Sequence, residues 1–346
     1  MKAAIYAKFS GPVEVVEVSD PVPAVDGVVV GVRASGLCLS DWHGWRGSDP
    51  DITLPHVPGH EFAGVVEEIG SGVERWKVGD RVTVPFVSGC GKCRECRSGN
   101  QQVCDRQFQP GFTHWGSFAE RVGLRYADLN LVRLPDAMTF TAAASLGCRF
   151  VTAFRAIVAQ GRVAAGEWVA VHGCGGVGLS AVTIARAFGA RVIGIDVHEK
   201  KVAEARRLGA EHVLLVGDGE DVAGRIREET DGGAHLSVDA LGSRETCLNS
   251  IRCLRKRGRH IQVGLMTEDA SAPPLPMDRI LAHELEIRGS HGIQAHAYPA
   301  IFAMMREGRL DPGGLVGRTI SLEEAAAALP AMDRFEHTGM TVITRF

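Results

Sequence analysis

Glu167-Trp168-Val169-Ala170-Val171, then Gly173-Cys174-Gly175-Gly176-Val177-Gly178, then Leu179 to Phe188 closed by Gly189, then Arg191 to Ile195 ending at Asp196, spell a buried strand, a glycine loop, a helix and a second strand. A G-x-G-x-x-G loop by itself is weak, but set between a strand and a helix, with an acid at the end of the next strand, it marks a dinucleotide-binding βαβ unit. The glycines let the backbone approach a pyrophosphate at the helix N-terminus, and the acid hydrogen-bonds the ribose hydroxyls. Gly173, Gly175, Gly176, Val177 and Gly178 are therefore the candidate cradle and Asp196 the candidate ribose ligand. A carboxylate there repels the extra phosphate of NADP, so the expected cofactor is NAD. Further alternation follows: Val213 to Val216, a helix over Asp221–Thr230, Leu236 to Leu241, a helix over Arg244–Lys256, and Ile261 to Val263. Such repeats predict an α/β domain of Rossmann type over residues 151–290, a parallel sheet with helices on both faces. On the 244–256 helix Cys247, Ile251 and Leu254 share a stripe, which makes Cys247 core, with Cys253 off the stripe and Cys174 a small loop residue.

Cysteines carry the second signal. Cys90, Cys93, Cys96 and Cys104 place four thiols in fifteen positions, and short Cys-x2-Cys loops wrap a backbone around one tetrahedral zinc with sulfur at about 2.3 Å. Disulfides would close strained small loops here, and no βαβ pattern surrounds the stretch as a redox Cys-x-x-Cys requires. Four protein ligands leave the ion no open position, so this zinc holds a loop and the chemistry lies elsewhere. The chain has 346 residues, 45% hydrophobic and 23% charged, with a formal net charge of −3. That is ordinary for a soluble enzyme of two domains, and without a long basic run it gives a nucleic acid or anionic membrane no electrostatic footprint to rest on. The Met1-Lys2-Ala3-Ala4-Ile5 start has no signal-peptide core, and no apolar run approaches the roughly 18 residues that span a bilayer. Nine cysteines, four of them at metal spacing, suit a reducing, cytoplasmic setting better than a disulfide framework.

Residues 1–150 read differently. Short alternating runs, Val13 to Val18 and Val28 to Arg33, punctuated by Pro21, Pro23 and Gly27 and followed by Gly64–Ile69 and Arg81–Phe86, predict a mostly antiparallel β domain from which the cysteine loop is an excursion. Three stretches carry candidate ligands: Cys38-Leu39-Ser40-Asp41-Trp42-His43, Gly59-His60-Glu61 and Gly147-Cys148-Arg149. A catalytic zinc needs three protein ligands and an open position, and Cys2His is one known set. Alone, each residue reads as core or surface more readily than as ligand, and His56 stands close enough to His60 to be mistaken for it.

Taken together, the string from Cys38 to Glu61, the spacing of the four clustered cysteines and the Gly173–Gly178 loop resemble, in order and along essentially the whole chain, the zinc-dependent medium-chain alcohol dehydrogenases. The resemblance implies a GroES-like catalytic domain over 1–150, rejoined by residues 291–346, and a catalytic zinc on Cys38, His60 and Cys148. It implies that Asp41 orients the ligand histidine, that Glu61 stands behind the metal, and that Ser40 and His43 relay a proton, imidazole suiting the solvent end because it titrates near neutrality. It places Lys201 by the adenosine ribose, Thr152 by the nicotinamide, and Trp45, Phe86 and Trp115 as walls of a dry substrate pocket. In the tail a helix over Tyr298–Glu307, another over Leu322–Leu329 stopped by Pro330, and a strand over Met340–Thr344 are expected. Met340 stands where several members have an arginine that reaches the pyrophosphate.

The function so implied is reversible NAD-linked oxidation of an alcohol to an aldehyde or ketone, with two zinc ions per subunit, one catalytic and one structural. Full retention of Cys90, Cys93, Cys96 and Cys104 favours simple or aromatic alcohols over the polyol and sugar branch, and no anion-recognising insertion suggests glutathione-linked formaldehyde oxidation. A non-catalytic descendant that binds zinc and NAD is the rival from another class, since fold alone does not establish turnover. The expected partner is a small-molecule substrate, and the expected assembly a homo-oligomer, tetramer before dimer.

Overall fold

In a computed structural model, which describes residues 1–217, 219–267, 270–334 and 338–346, the chain divides into two compact units, Met1–Val151 with Gly292–Phe346, and Thr152–His291.

In the second unit six parallel strands stand in the order His212–Leu215, Arg191–Asp196, Trp168–His172, Ala234–Asp239, Leu254–Gln262 and Glu286–Gly289. The central strand Trp168–His172 is buried at every position, which is why its first four residues read as an unbroken apolar run. The chain order reverses on either side of it, and at such a switch point the loops leaving the carboxyl ends of the strands are free to form a binding crevice. The glycine loop leaves there, between Trp168–His172 and the helix Gly176–Ala187. One expected boundary fails. The helix expected over 244–256 ends at Arg252, capped by the Cys253 N–H on the Asn249 and Ile251 carbonyls, and Leu254 already opens the next strand opposite Ala234. Leu254 is thus core by way of the sheet, and Cys253, expected off the buried stripe, is wholly buried.

The first unit is built on a sheet ordered Val316–Ser321, Met340–Arg345, Val28–Leu37, Glu61–Ile69, Arg81–Thr83 and Val132–Arg133, with Arg121–Leu124 added to Val28–Leu37. All pairings are antiparallel except that of the last two strands in the chain. A separate hairpin joins Lys2–Ile5 to Glu14–Glu17. Val28, Val30, Val32, Phe62 and Val66 from the long central pair of strands and Val82 from Arg81–Thr83 fill one core. Those two strands outrun their apolar alternation: Val28–Leu37 continues to within one residue of Cys38, and Glu61–Ile69 starts one residue after His60. Both candidate ligands are therefore anchored by sheet register. The strand expected over 81–86 stops at Thr83, ahead of Pro85, which has no N–H for a ladder.

Candidate active site and metal centres

Cys38 ends one central strand and opens the helix Leu39–Arg46, His60 precedes its partner strand, and Cys148 comes just ahead of the helix Arg149–Phe154. The fold brings their donor atoms, with a Glu61 carboxylate oxygen, to within 4.8 Å of one another. Asp41 ties the two strand ends together. Wholly buried, its carboxylate accepts from the Cys38 N–H at 2.9 Å, the Gly59 N–H at 3.0 Å and His60 Nδ1 at 2.8 Å. With Nδ1 engaged by Asp41, Nε2 is the ring nitrogen of His60 left for a metal, and that buried atom has no hydrogen-bond partner among the described residues. An orphaned imidazole nitrogen beside two thiols is the donor set that zinc takes. The thiols already share charge. Cys38 is held well below the usual thiol range, first by the hydrogen bond from Cys148 and then by His60 against the effect of burial, while Cys148 is pushed well above by Cys38 and by burial.

Ser40 Oγ lies 3.7 Å from Cys38 Sγ. Farther along the same helix, His43 is half-buried, edge-on to Trp42 with ring centroids 5.1 Å apart. Phe86 meets the His60 ring edge-on at 6.0 Å, and Phe112, which the sequence reading missed, lies closer at 4.8 Å. The other two expected wall residues sit differently. Trp45 packs in a core cluster with Tyr6 and Leu329 and donates its indole N–H to the Gly11 carbonyl. Two positions after His43 on a helix, it points to the opposite side. Trp115 is 39% exposed and donates to the Pro55 carbonyl. His56, the possible decoy, is turned away, its Nε2 2.9 Å from the Gly111 carbonyl. Glu61 is buried against Arg149, which lines this site and was also missed. A charged residue in the otherwise uncharged Gly147–Ala153 run was the available signal, because a buried arginine needs a partner.

The four clustered cysteines bring their sulfurs within 4.8 Å of each other. Backbone N–H groups point at them: Cys90 to Cys104 at 3.3 Å, Lys92 to Cys90 at 3.5 Å, Cys96 to Cys93 at 3.4 Å and Arg106 to Cys104 at 3.3 Å. Burial raises the Cys90 thiol, but the N–H groups of Lys92 and Cys93 outweigh it and bring the thiol down to about 6. Such donors stabilise thiolates, the form that binds a metal, so this cluster also fits zinc.

In the second unit Gly173 adopts a left-handed φ of +88°, and a Cβ on Gly178 would lie 1.8 Å from the Gly173 carbonyl oxygen. A Cβ on Gly175 would meet nothing within 4 Å, and as N-cap of the Gly176–Ala187 helix it contributes no side-chain cap. Gly176 and Val177 open that first turn, whose N–H groups are left for an anion. Asp196 Oδ2 accepts from the Cys174 N–H at 2.8 Å and Oδ1 from the His198 N–H at 3.0 Å. Lys201 lies in the following helix Glu199–Arg207, and the buried Thr152 hydroxyl has no hydrogen-bond partner among the described residues. A glycine cradle with uncapped N–H groups fits a dinucleotide.

Comparison with known proteins agrees on family and fold. Residues 25–136 match the alcohol dehydrogenase GroES-like domain and residues 176–307 the zinc-binding dehydrogenase family. An alcohol dehydrogenase of Geobacillus stearothermophilus is 37% identical over 292 residues, 84% of each chain. Among solved structures, alcohol dehydrogenase TADH from Thermus sp. ATN1 superposes with a TM-score of 0.91 at 31% identity over the full length of both chains. An NAD-dependent alcohol dehydrogenase does so with a TM-score of 0.89 at 30% identity, again over all of both chains.

Proposed function

The chain belongs to the zinc-dependent medium-chain alcohol dehydrogenases and is an NAD-dependent oxidoreductase of alcohols; on that premise we propose which of its residues do the work. The observation that carries the assignment is the convergence of Cys38, His60 and Cys148 with His60 Nε2 left unpartnered. These three hold the catalytic zinc, and Cys90, Cys93, Cys96 and Cys104 hold a second, structural one. Bound zinc supplies the Lewis acidity that lowers the pKa of a substrate hydroxyl, and bound NAD supplies the hydride acceptor.

The protein's own part is positioning and proton handling. Asp41 fixes the His60 ring and spaces the Cys38 and Gly59 backbones. Ser40, next to Cys38, takes the proton of the substrate hydroxyl, and His43 passes it on towards water. Phe86 and Phe112 keep water from the metal side of the site, which strengthens its electrostatics. We assign Trp45 to bracing the helix Leu39–Arg46 instead of walling the substrate. Gly173, Gly175, Gly176, Val177 and Gly178 cradle the pyrophosphate, Asp196 and Lys201 hold the adenosine ribose, and Thr152 holds the nicotinamide end. The buried Met340 offers no cation to that pyrophosphate.

We further propose catalytic boundaries at 1–150 and 291–346 around a cofactor domain over 151–290, and a cytoplasmic homotetramer acting on simple or aromatic alcohols. Nine cysteines without a disulfide among the described residues support a reducing compartment. The test is NADH formation by purified protein across ethanol, longer primary, secondary, benzylic and polyol substrates, with NADP in parallel and with and without a zinc chelator. Chelator-sensitive NADH formation from monohydric alcohols is expected. Turnover confined to polyols would move the chain to that branch, and none in either direction with zinc and NAD bound would make it a binding protein.

A further inference from the structure

The residues that follow two of the proposed zinc ligands are bonded to each other. Glu61, next to His60, and Arg149, next to Cys148, are 0% and 7% exposed. Arg149 Nε reaches both carboxylate oxygens, Oε1 at 3.0 Å and Oε2 at 2.9 Å, its Nη2 donates to Oε2, and its backbone N–H donates to Oε1 at 2.8 Å. Both oxygens of Glu61 are thus held by one residue. Space is cleared for the arrangement. A Cβ on Gly36, which stands opposite Glu61 in the sheet register, would lie 2.4 Å from Oε2 and 3.0 Å from Arg149 Nη2. A Cβ on Gly147 would lie 2.5 Å from the Glu61 Cα.

A carboxylate oxygen of Glu61 also lies in the same 4.8 Å donor cluster as Cys38, His60 and Cys148. It is a potential fourth ligand, and a fourth protein ligand would close the position that a catalytic zinc keeps for substrate. Two thiolates and the buried Glu61 and Asp41 carboxylates carry four negative charges. Zinc and the guanidinium carry three positive ones, so the guanidinium is the charge that answers Glu61 in a site with no positive charge to spare. Without the guanidinium, an uncompensated buried carboxylate would have one cation within reach, the metal.

We propose that Arg149 is a positioning residue that pins Glu61 to the protein and so reserves the fourth coordination position at Cys38, His60 and Cys148 for an exchangeable ligand. This rests on those three residues being the catalytic metal site. The planar fork of arginine suits the task because it engages both oxygens at once, which a lysine does not.

The test uses full-length protein with cobalt exchanged for the catalytic zinc, titrated with imidazole as a monodentate probe and followed by the visible absorption of the metal. Wild-type protein should bind imidazole with a shift of the cobalt bands. Arg149→Met should start from a different spectrum and bind imidazole at least about tenfold more weakly, because breaking a buried ion pair on one side leaves a charge that seeks another partner. Adding Glu61→Gln to Arg149→Met should restore wild-type imidazole binding, and Arg149→Lys should fall between. Wild-type imidazole affinity in Arg149→Met overturns the proposal. So does failure of the double variant to recover, since a merely structural pair would lose more when both members go. Should Arg149→Met not fold, unchanged imidazole affinity in Arg149→Lys overturns it equally. Cobalt that never acquires thiolate absorption in wild-type protein would instead defeat the metal assignment itself, and the proposal with it.

Discussion

Replacing Asp41 with asparagine tests how the site is held. The wild-type carboxylate accepts three hydrogen bonds at 2.8 to 3.0 Å from His60 Nδ1 and from the backbone N–H groups of Cys38 and Gly59. Asparagine has the same shape, but only one of its two terminal atoms accepts. Its NH2 must face the Cys38 N–H or displace the Gly59 and His60 donors. At least one buried donor then goes unsatisfied, at about 1–3 kcal/mol, and the histidine loses the negative charge that makes its other nitrogen a better ligand. Changes of this kind behind a metal ligand typically cost about 10–100-fold in affinity, which at about 1.4 kcal/mol per tenfold is the same range reached from the hydrogen bonds. Competition with a chelator, monitored by zinc release, should therefore show one zinc per subunit lost about 10–100-fold more readily, while the zinc of the four-cysteine cluster keeps its affinity and serves as internal reference. Equal retention of both ions, within about twofold, would refute the idea that Asp41 builds the site.

Other perturbations separate the remaining parts. His172 and His260 are buried in the second unit, and burial lowers each to about 4. The unfolded chain takes up those protons near pH 6.5 and the folded chain only near 4, so their stabilising effect is complete above about pH 6.5 and is lost as pH falls towards 4, at up to about 1.4 kcal/mol per pH unit for each. Denaturant titrations at pH 7.5 and 5 should differ accordingly, and the difference should shrink in His260→Gln. Gly178→Ala, whose Cβ would strike the Gly173 oxygen, should lower both thermal stability and NAD affinity. Gly175→Ala, with open space around it, should leave the cofactor-free protein within about 0.5 kcal/mol of wild type and weaken NAD binding alone; equal loss of stability in both would contradict the cradle. Cys104→Ser should reduce zinc content by one ion per subunit and speed proteolysis within residues 90–104, and unchanged zinc content would remove the structural site.

The parts of this molecule legible in its sequence are those in which neighbours along the chain do the specifying. The strand at 168–172, the glycine loop and the strand at 191–196 were readable because each sets its own period and punctuation. Residues 254–260, Leu-Arg-Lys-Arg-Gly-Arg-His, mislead by composition: straight-chain basic residues favour helix, yet the segment is the fifth strand of a parallel sheet, stabilised by partners far away in sequence. Phe112 was invisible for the same reason, since it lies in a turn without periodicity and meets His60 only through the fold. Cys38, His60 and Cys148 were each ambiguous alone, and the resemblance joined them. Trp45, placed as a wall by the resemblance, packs with Tyr6 and Leu329, contacts made through the fold that no local pattern announces.

Asp196 spends both of its oxygens on the backbone, one on the N–H of Cys174 inside the glycine loop and the other on that of His198. Its side chain is thus part of the architecture of the cradle as well as its candidate selectivity element. An engineer or an evolving lineage seeking to turn this chain towards NADP would find that removing the acid also unties the loop proposed to cradle the pyrophosphate. The intermediate would bind both nucleotides poorly. A second change that restores an acceptor for the Cys174 N–H has to come first or together with it, so cofactor preference here is guarded by a barrier between sequences.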